Sequence, residues 1–306
     1  MMKKSNRCIS KNKISKINSN KELKMKKLLS SKFAPLIVTL PCTVIGAISM
    51  FINKVPILIW VQNIICLMIA GIISYLILSK SKVKETKYKS ITIITTVILL
   101  LLTFVDPGFQ GVNRWVSIGP FNFYVASIVI PILIIEIYKL SQFSNWFILA
   151  LIILFISILL TLQPDASQST AFIIPMIILL WSKTNKNVLR ISITALLWIL
   201  IVYAWVFLDS LPPVSYVEKI ISLVFKMGIF WFILGVISLI ILPLPFILFP
   251  PKSFKLLSTC IGVYFIIILI STQFGNFPVP LMGYGISPII GYFISITWFV
   301  KTKINF

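Results

Sequence analysis

The feature that most constrains this chain is a series of long apolar runs separated by short polar breaks. The hydrocarbon core of a bilayer, about 30 Å thick, is crossed by about 20 helical residues. Runs of roughly that length lie at residues 33–52, 56–78, 89–105, 122–138, 145–162, 167–182, 188–208, 228–249, 253–272 and 282–300. The chain is 58% hydrophobic and 11% charged, whereas a soluble domain has about 25% charged residues. The pattern therefore predicts an integral membrane protein.

These runs are predicted to be helices rather than strands. Residues 91–104, ITIITTVILLLLTF, lack the polar residue at every second position that a transmembrane barrel strand shows. Because backbone groups in lipid must be hydrogen-bonded within the protein, helices are the remaining solution. The predicted fold class is all-α, a polytopic membrane protein with about ten transmembrane helices.

The positions of Lys and Arg predict the orientation. Of the 28 basic residues, 24 lie in the tail over residues 1–32, in the even-numbered connections or after the last span. Since cytoplasmic loops carry the excess of Lys and Arg, both termini are predicted to be cytoplasmic. The basic tail is predicted to meet anionic membrane lipids rather than nucleic acid, and residues 33–303 to form a single transmembrane domain.

The residue inventory excludes several kinds of catalytic site. The chain has no His, which excludes Ser-His-Asp triads and His-based zinc sites. Its four Cys show no CxxC spacing, so neither a disulfide framework nor a Cys metal site is predicted. Four of the seven acids are predicted to lie on the extracytoplasmic side: Asp106, Asp165, Asp209 and Glu218.

Four polar stretches rich in Gly and Pro lie on that same side. They cover residues 106–123, 162–169, 209–228 and 274–288. Irregular backbone at membrane depth is tolerated only where protein or a water-filled cavity satisfies its polar groups. Four such segments on one side therefore predict an outward-facing cavity.

Three of these stretches contain motifs that resemble those of the shape, elongation, division and sporulation (SEDS) family. These are polytopic peptidoglycan polymerases related to rod-shape and septum-forming proteins. GVNRWVSIG, residues 111–119, resembles the family's Gly-x-Arg-Arg-Trp-x-x-x-Gly loop, and residues 163–165 match its Gln-Pro-Asp motif. PLMGYGIS, residues 280–287, resembles Pro-x-x-Ser-Tyr-Gly-Gly-Ser. The resemblance covers about residues 33–300 and implies a multi-pass protein of the bacterial cell membrane that acts in division, cell shape or sporulation.

The resemblance also implies a substrate and a set of contacts. The expected ligand is a lipid-linked peptidoglycan precursor, and the expected substrate-binding residues are Arg114, Trp115, Asp165, Tyr284 and Ser287. Arg114 is the candidate for the diphosphate, because its planar fork matches phosphate oxygens. A divalent cation, Mg or Mn, and a class B penicillin-binding transpeptidase are the cofactor and the partner that the resemblance implies.

Simpler structural roles remain open for some of these residues. Arg114 and Trp115 would also suit the anchoring of a helix at the membrane interface, with Arg114 snorkelling. Asp165 follows a Pro at the start of a span, where capping the helix would be sufficient reason for an acid. The alternative is that its charge pairs with Arg114 or holds a cation in the outward cavity. Residues 283–288 would also serve as a hinge that makes the last helix begin late.

The chain departs from the family pattern where the catalytic acid is expected. In the family, a long loop ends in an Asp-Phe-Ile-Phe-like stretch whose aspartate is the proposed catalytic residue, but here residues 228–238 read GIFWFILGVIS. Asp209 and Glu218 are the substitutes that the shortened loop offers. Asn113 replaces the first Arg of the Arg-Arg-Trp motif, and residues 124–127, Tyr-Val-Ala-Ser, replace a Gln-Pro-Ser-Glu motif.

Three functions therefore remain open from the sequence. The first is a divergent peptidoglycan glycosyltransferase that uses a rearranged acid. The second is a catalytically inactive relative that binds the precursor or serves a transpeptidase as a scaffold. The third is a flippase of lipid-linked precursor, which the scarcity of ionisable residues within the spans makes the weakest of the three.

Overall fold

The computed structural model describes residues 24–80, 90–106, 108, 111–119, 121–207 and 211–305. Within these ranges the chain is a bundle of helices with one two-stranded hairpin. The helices are α1 (Ala34–Ile52), α2 (Ile57–Ser79), α3 (Ser90–Leu102), α4 (Val125–Leu140), α5 (Trp146–Leu162), α6 (Ala166–Ser182), α7 (Asn187–Val206), α8 (Ile220–Lys226), α9 (Ile229–Ile241), α10 (Leu244–Leu248), α11 (Lys255–Ser271) and α12 (Ile286–Asn305). The strands are β1 (Trp115–Ile118) and β2 (Phe121–Tyr124), and a 3-10 turn over Lys252–Phe254 leads into α11.

The ten predicted spans each coincide with helix, which confirms the all-α fold class. By length and composition alone, α1, α2, α7 and α11 with its preceding turn are long and apolar enough to cross a membrane. The helices α3, α5, α6 and α9 are apolar but shorter. The protein is therefore a polytopic helical membrane protein. Residues 1–23 of the predicted tail lie outside the described residues, so its boundary at residue 32 stays a prediction.

Three segments differ from the prediction in detail. The span at 228–249 is two helices, α9 and α10, which part at Pro243, where a helix-interior proline removes a backbone donor. The hydroxyl of Tyr292 donates to the carbonyl of Leu242 at this break, 2.7 Å away. The fourth helix begins at Val125 rather than 122, because the preceding four residues form β2. The predicted loop over 209–228 contains the short helix α8.

The starts of α2, α4, α6 and α12 meet at one end of the bundle. Tyr124, just before α4, contacts Asp165 at the start of α6 and Ser287 in the first turn of α12. Asn63, near the start of α2, accepts a hydrogen bond from the N–H of Gly285. At the opposite end, the ring of Phe254 lies beside those of Tyr138 and Trp298, at 6.3 and 6.1 Å between centroids. The meeting of these helix starts agrees with the up-and-down order that the charge distribution predicts.

Helix α4 lies inside the bundle, and two glycines on other helices permit close backbone contacts, one of them with α4. Twelve of the sixteen residues of α4 are buried. A Cβ added at Gly291 of α12 would overlap the carbonyl oxygen of Ser127 on α4, and one added at Gly46 of α1 would overlap the carbonyl oxygen of Met282. Small residues at helix interfaces permit such backbone contact in membranes. These contacts fix the 279–287 segment and the start of α12 against the centre of the bundle.

Candidate functional site

The hairpin that follows α3 presents Arg114 and Trp115 to the end of the bundle. β1 and β2 pair antiparallel, with Trp115 opposite Tyr124, and Gly119 takes a φ of +60° at the turn, where glycine is favoured. Asp106 accepts hydrogen bonds from the N–H groups of Ser117 (2.9 Å) and Gly108. These two donors hold the pKa of Asp106 below its usual range. The stabilisation that they give is therefore present at neutral pH and is lost only as the pH falls through this lowered pKa.

Asp165 both caps a helix and pairs with a cation. It is fully buried, and its Oδ1 accepts the N–H of Gln168 in the first turn of α6, at 3.1 Å. Its Oδ2 lies 3.8 Å from Nε of Arg114, which is only 3% exposed. The helix cap and the pair with Arg114 are thus both present as contacts, and the role of Asp165 in substrate binding stays a prediction.

Arg114 is held on several sides and is only 3% exposed. One guanidinium nitrogen donates to the carbonyl of Pro164, and the guanidinium carbon lies 5.7 Å from the centre of the Phe277 ring. A cation above an aromatic face is attracted by the ring's negative face. The burial of Arg114 thus differs from the snorkelling that the interface-anchor interpretation expects, and half-buried Trp115 lies beside the Tyr124 ring, 6.3 Å between centroids.

Tyr124 is a site residue that sequence reasoning missed. Its hydroxyl donates to Oδ2 of Asp165, and its backbone N–H donates to Oγ of Ser287 at 3.0 Å. It therefore joins the hairpin, the Gln-Pro-Asp segment and the start of α12. Behind it, the hydroxyl of Tyr264 donates to Oε1 of Gln168 at 2.9 Å. The sequence signal for Tyr124 was only its position, in the stretch that departs from the family pattern.

Two small cavities meet at Tyr124. The outer cavity has a volume of about 20 Å³ and is lined by Arg114, Trp115, Tyr124, Leu211, Pro212, Glu218, Asn276 and Pro278. The inner cavity, also of about 20 Å³, is lined by Tyr124, Ser127, Gln168, Tyr264, Phe265, Ile268, Pro278, Pro280 and Pro288. Each has room for about one water molecule or one ligand oxygen. The structure thus brings Arg114, Trp115 and Glu218 together around one outward-end cavity.

Of the two acids proposed as substitutes, the structure describes only Glu218. Asp209 lies outside the described residues. Glu218 is half-buried beside the outer cavity, and its Oε2 accepts the N–H of Val214 at 2.7 Å. A carboxylate and a guanidinium on the walls of one cavity can divide the work of a group transfer, one taking a proton and the other binding an anion.

Comparison with solved structures identifies the fold. Rod shape determining protein RodA of Thermus thermophilus superposes with a TM-score of 0.67 at 15% identity, covering 89% of this chain and 96% of RodA. A point mutant of the same protein gives a TM-score of 0.70 at 14% identity, over 89% of this chain and 97% of that one. A chain from a structure described as "Structural coordination of polymerization and crosslinking by a peptidoglycan synthase complex" gives a TM-score of 0.63 at 14% identity, over 89% and 97%.

A sequence relative agrees with the fold. "Putative peptidoglycan glycosyltransferase FtsW" of Mesostigma viride is 30% identical over an alignment of 166 residues, which covers 51% of this chain. The chain is therefore similar to SEDS proteins in part of its sequence and in its fold. It covers 35% of the length of that curated relative, and no family model matches it.

The third motif, residues 280–287, is tied to α2 rather than to Arg114. The hydroxyl of Tyr284 donates to Oε1 of Gln62 at 2.7 Å. Asn63 donates to the carbonyl of Gly283 (2.8 Å) and accepts the N–H of Gly285 (3.1 Å), which clamps the turn before α12. Of the two candidates in this motif, Ser287 contacts the Tyr124 backbone at the centre of the site, and Tyr284 lies towards α2.

Helix α9 contains the stretch where the SEDS resemblance leads one to expect an acid. Residues 228–238 fold into an apolar helix that exposes large side chains to its surroundings, among them Phe230, Ile233 and Ile237. In a membrane such a face is suited to lipid rather than to a polar reaction site. The structure therefore offers no acid on this helix in place of the expected one.

The donor atoms around the outer cavity do not fit the divalent cation that the resemblance implies. Among the described residues, no group of three Asp, Glu or Cys side chains could hold a metal ion. Asp165 is committed to Arg114, Tyr124 and the N-terminus of α6. Mg²⁺ and Mn²⁺ prefer several oxygen ligands, which this part of the chain does not gather. The positive charge that the described cavity presents is that of Arg114.

Proposed function

We propose that this protein works in bacterial cell-wall synthesis by binding a lipid-linked peptidoglycan precursor at the outer cavity. The observation that carries the proposal is the buried Arg114, which lines this cavity while its guanidinium is fixed by Asp165 and Pro164. A pre-positioned planar fork suits two phosphate oxygens, so it gives geometric recognition as well as charge. The SEDS relationship supplies the chemical identity of the anion, a polyprenyl diphosphate that carries a disaccharide.

The surroundings of Arg114 support an anion at this position. The hairpin and the 162–169 segment hold the guanidinium on one side, and Trp115 and Asn276 line the cavity beside it. Asp165 is enclosed, so it fixes the arginine without itself reaching the cavity. The Arg114 side chain is therefore already ordered by contacts within the fold, so ligand binding does not have to offset its loss of conformational entropy. Ser287 supports the site indirectly, because its hydroxyl oxygen accepts the backbone N–H of Tyr124.

Binding of the precursor to purified protein tests the proposal. In lipid nanodiscs, the wild type is expected to bind lipid-linked disaccharide-pentapeptide, and Arg114→Lys to bind it at least about tenfold more weakly. Lysine keeps the charge beside Asp165 but lacks the fork. The matched control is Arg190→Lys, because Arg190 bonds the carbonyl of Trp181 at the other end of the bundle. Binding by Arg114→Lys as tight as that of the wild type, at equal thermal stability, would contradict the proposal.

A second function is favoured by a separate observation. The apolar α9 stands where the family's acid is expected, which supports an inactive relative that binds precursor and serves a transpeptidase as a scaffold. Copurification with a class B penicillin-binding protein, together with precursor binding but no glycan polymerisation, would support this alternative. Robust polymerisation by the purified wild type would rule it out.

A further inference from the structure

We infer that Glu218 is the general base for glycan polymerisation in this protein, in place of the acid missing from α9. The inference rests on the proposed binding of precursor at the outer cavity. It assigns a catalytic role to a residue in the shortened 211–219 segment.

The position of Glu218 relative to Arg114 is the first support. Both side chains line the outer cavity. Among the described residues that line it, Glu218 is the one acid. Because Arg114 is proposed to bind the diphosphate, an acid that lines the same cavity is expected near the sugar end of a bound precursor. The cavity admits about one ligand oxygen, which is the size of a reacting hydroxyl rather than of a sugar ring.

The other described acids at this end of the bundle, Asp165 and Asp106, have structural roles. Both oxygens of Asp165 are engaged, Oδ1 by the N–H of Gln168 and Oδ2 by the Tyr124 hydroxyl, and the residue has no exposed surface. Asp106 holds two backbone N–H groups at the base of the hairpin. A general base must come within hydrogen-bond reach of the proton that it removes. Asp165 and Asp106 do not line the cavity where that proton would be, and Glu218 does.

The segment that carries Glu218 is held in place by backbone contacts. The carbonyl of Val217 accepts the N–H of Val279 (3.3 Å), and that of Tyr216 accepts the N–H of Tyr284 (2.9 Å). A Cβ added at Gly283 would overlap the Val217 carbonyl oxygen, so the two segments lie in direct contact. The bond from the Val214 N–H orients the Glu218 carboxylate. A base fixed in this way needs little reorganisation at the moment of reaction.

The chemistry balances with these two groups. A sugar hydroxyl oxygen forms a bond to the anomeric carbon of the second lipid-linked saccharide, and its proton passes to the Glu218 carboxylate. The bond between that anomeric carbon and the diphosphate oxygen breaks, and the polyprenyl diphosphate leaves with the electron pair. Arg114 stabilises the charge that grows on the leaving oxygen. The protonated Glu218 then returns its proton to water.

Conservative substitutions separate catalysis from binding. In nanodiscs, Glu218→Gln is expected to bind the precursor as the wild type does and to polymerise it about 100-fold more slowly or worse. The amide oxygen of Gln can still accept the Val214 N–H, so the turn should survive. Glu218→Asp keeps the carboxylate on a shorter side chain and is expected to retain partial activity. The matched control is Glu136→Gln, on α4 at the cytoplasmic end, which should leave both binding and polymerisation unchanged.

The outcomes distinguish this inference from the proposed function. A wild type that binds precursor but makes no glycan overturns the role of Glu218 and leaves the binding proposal standing. A wild type that fails to bind precursor overturns both. Polymerisation by Glu218→Gln at the wild-type rate overturns the assignment, and loss of activity in Asp209→Asn but not in Glu218→Gln would transfer it to Asp209.

Discussion

Two ion pairs at opposite ends of the bundle are built in contrasting ways. Arg114 and Asp165 come from separate segments, are 3% and 0% exposed, and approach to 3.8 Å. Lys139 and Glu136 lie one turn apart on α4, are 28% and 12% exposed, and approach to 2.7 Å. The first pair joins the hairpin to the start of α6. The second pair, Lys139 with Glu136, lies at the end of a single helix.

The comparison teaches that the shorter contact is the less consequential one. A partly exposed pair is screened by water and typically contributes about 0–1 kcal/mol. A buried pair can be no better than a well-packed apolar pair, but removing one partner leaves an uncompensated charge and costs about 3–5 kcal/mol. The buried pair therefore makes the outward end intolerant of single changes, whereas the cytoplasmic end tolerates them.

The largest effect is expected for Arg114→Met. This variant leaves the fully buried Asp165 without its cation, and the free energy of unfolding should fall by about 3–5 kcal/mol. Chemical unfolding of the purified protein in mild detergent measures it. The double variant Arg114→Met with Asp165→Ser should regain much of the loss, because serine still caps α6 and carries no charge. Equal losses in the single and double variants would break the comparison.

A smaller loss is expected for Tyr124→Phe. The change removes one hydroxyl that donates to the buried Asp165, and the free energy of unfolding should fall by about 1–3 kcal/mol. Tyr203→Phe is the matched control, because Tyr203 on α7 is 48% exposed and stacks on Phe207. If the two variants unfold alike, the Tyr124 hydroxyl adds nothing to the buried cluster.

The smallest effect is expected for Lys139→Ala. Loss of the partly exposed pair with Glu136 should lower the free energy of unfolding by about 0–1 kcal/mol. Chemical unfolding in the same detergent measures this loss, which can then be compared directly with the loss in Tyr124→Phe at the other end of the bundle. A cost for Lys139→Ala equal to that of Arg114→Met would overturn the distinction between the two pairs.

The helices were predictable because the bilayer imposes a length and an apolarity on every span. Charged and Pro-rich breaks marked most helix ends to within a few residues. The hairpin was not predicted, because its strands have only four residues each and show no sustained alternation. The break at Pro243 was also missed, since Pro243 and Pro245 lie inside a continuous apolar run and prolines occur within membrane helices.

The candidate site was predictable only in part. The motifs identified Arg114 and Asp165, but the sequence offered their pairing only as one alternative, because nothing local encodes a contact between distant segments. The hydrogen bonds of Tyr124 and Tyr264 could not be predicted from the sequence for the same reason. Tyr264 lies in an apolar span, where a single tyrosine gives no sign that its hydroxyl reaches Gln168.

The bond between the Tyr124 N–H and Ser287 Oγ (3.0 Å) joins residues that leave the ribosome far apart in time. Arg114, Tyr124 and Asp165 are already synthesised when the chain has still to make the 278–288 segment. Pro278 forms part of the walls of both cavities, and Pro280 and Pro288 line the inner one. A nascent chain that stops after α11 therefore contains Arg114 and Asp165 but lacks Pro278, Pro280 and Pro288. The walls of both cavities are complete only when the 278–288 segment has been made, so translation order keeps an unfinished chain from presenting a complete cavity.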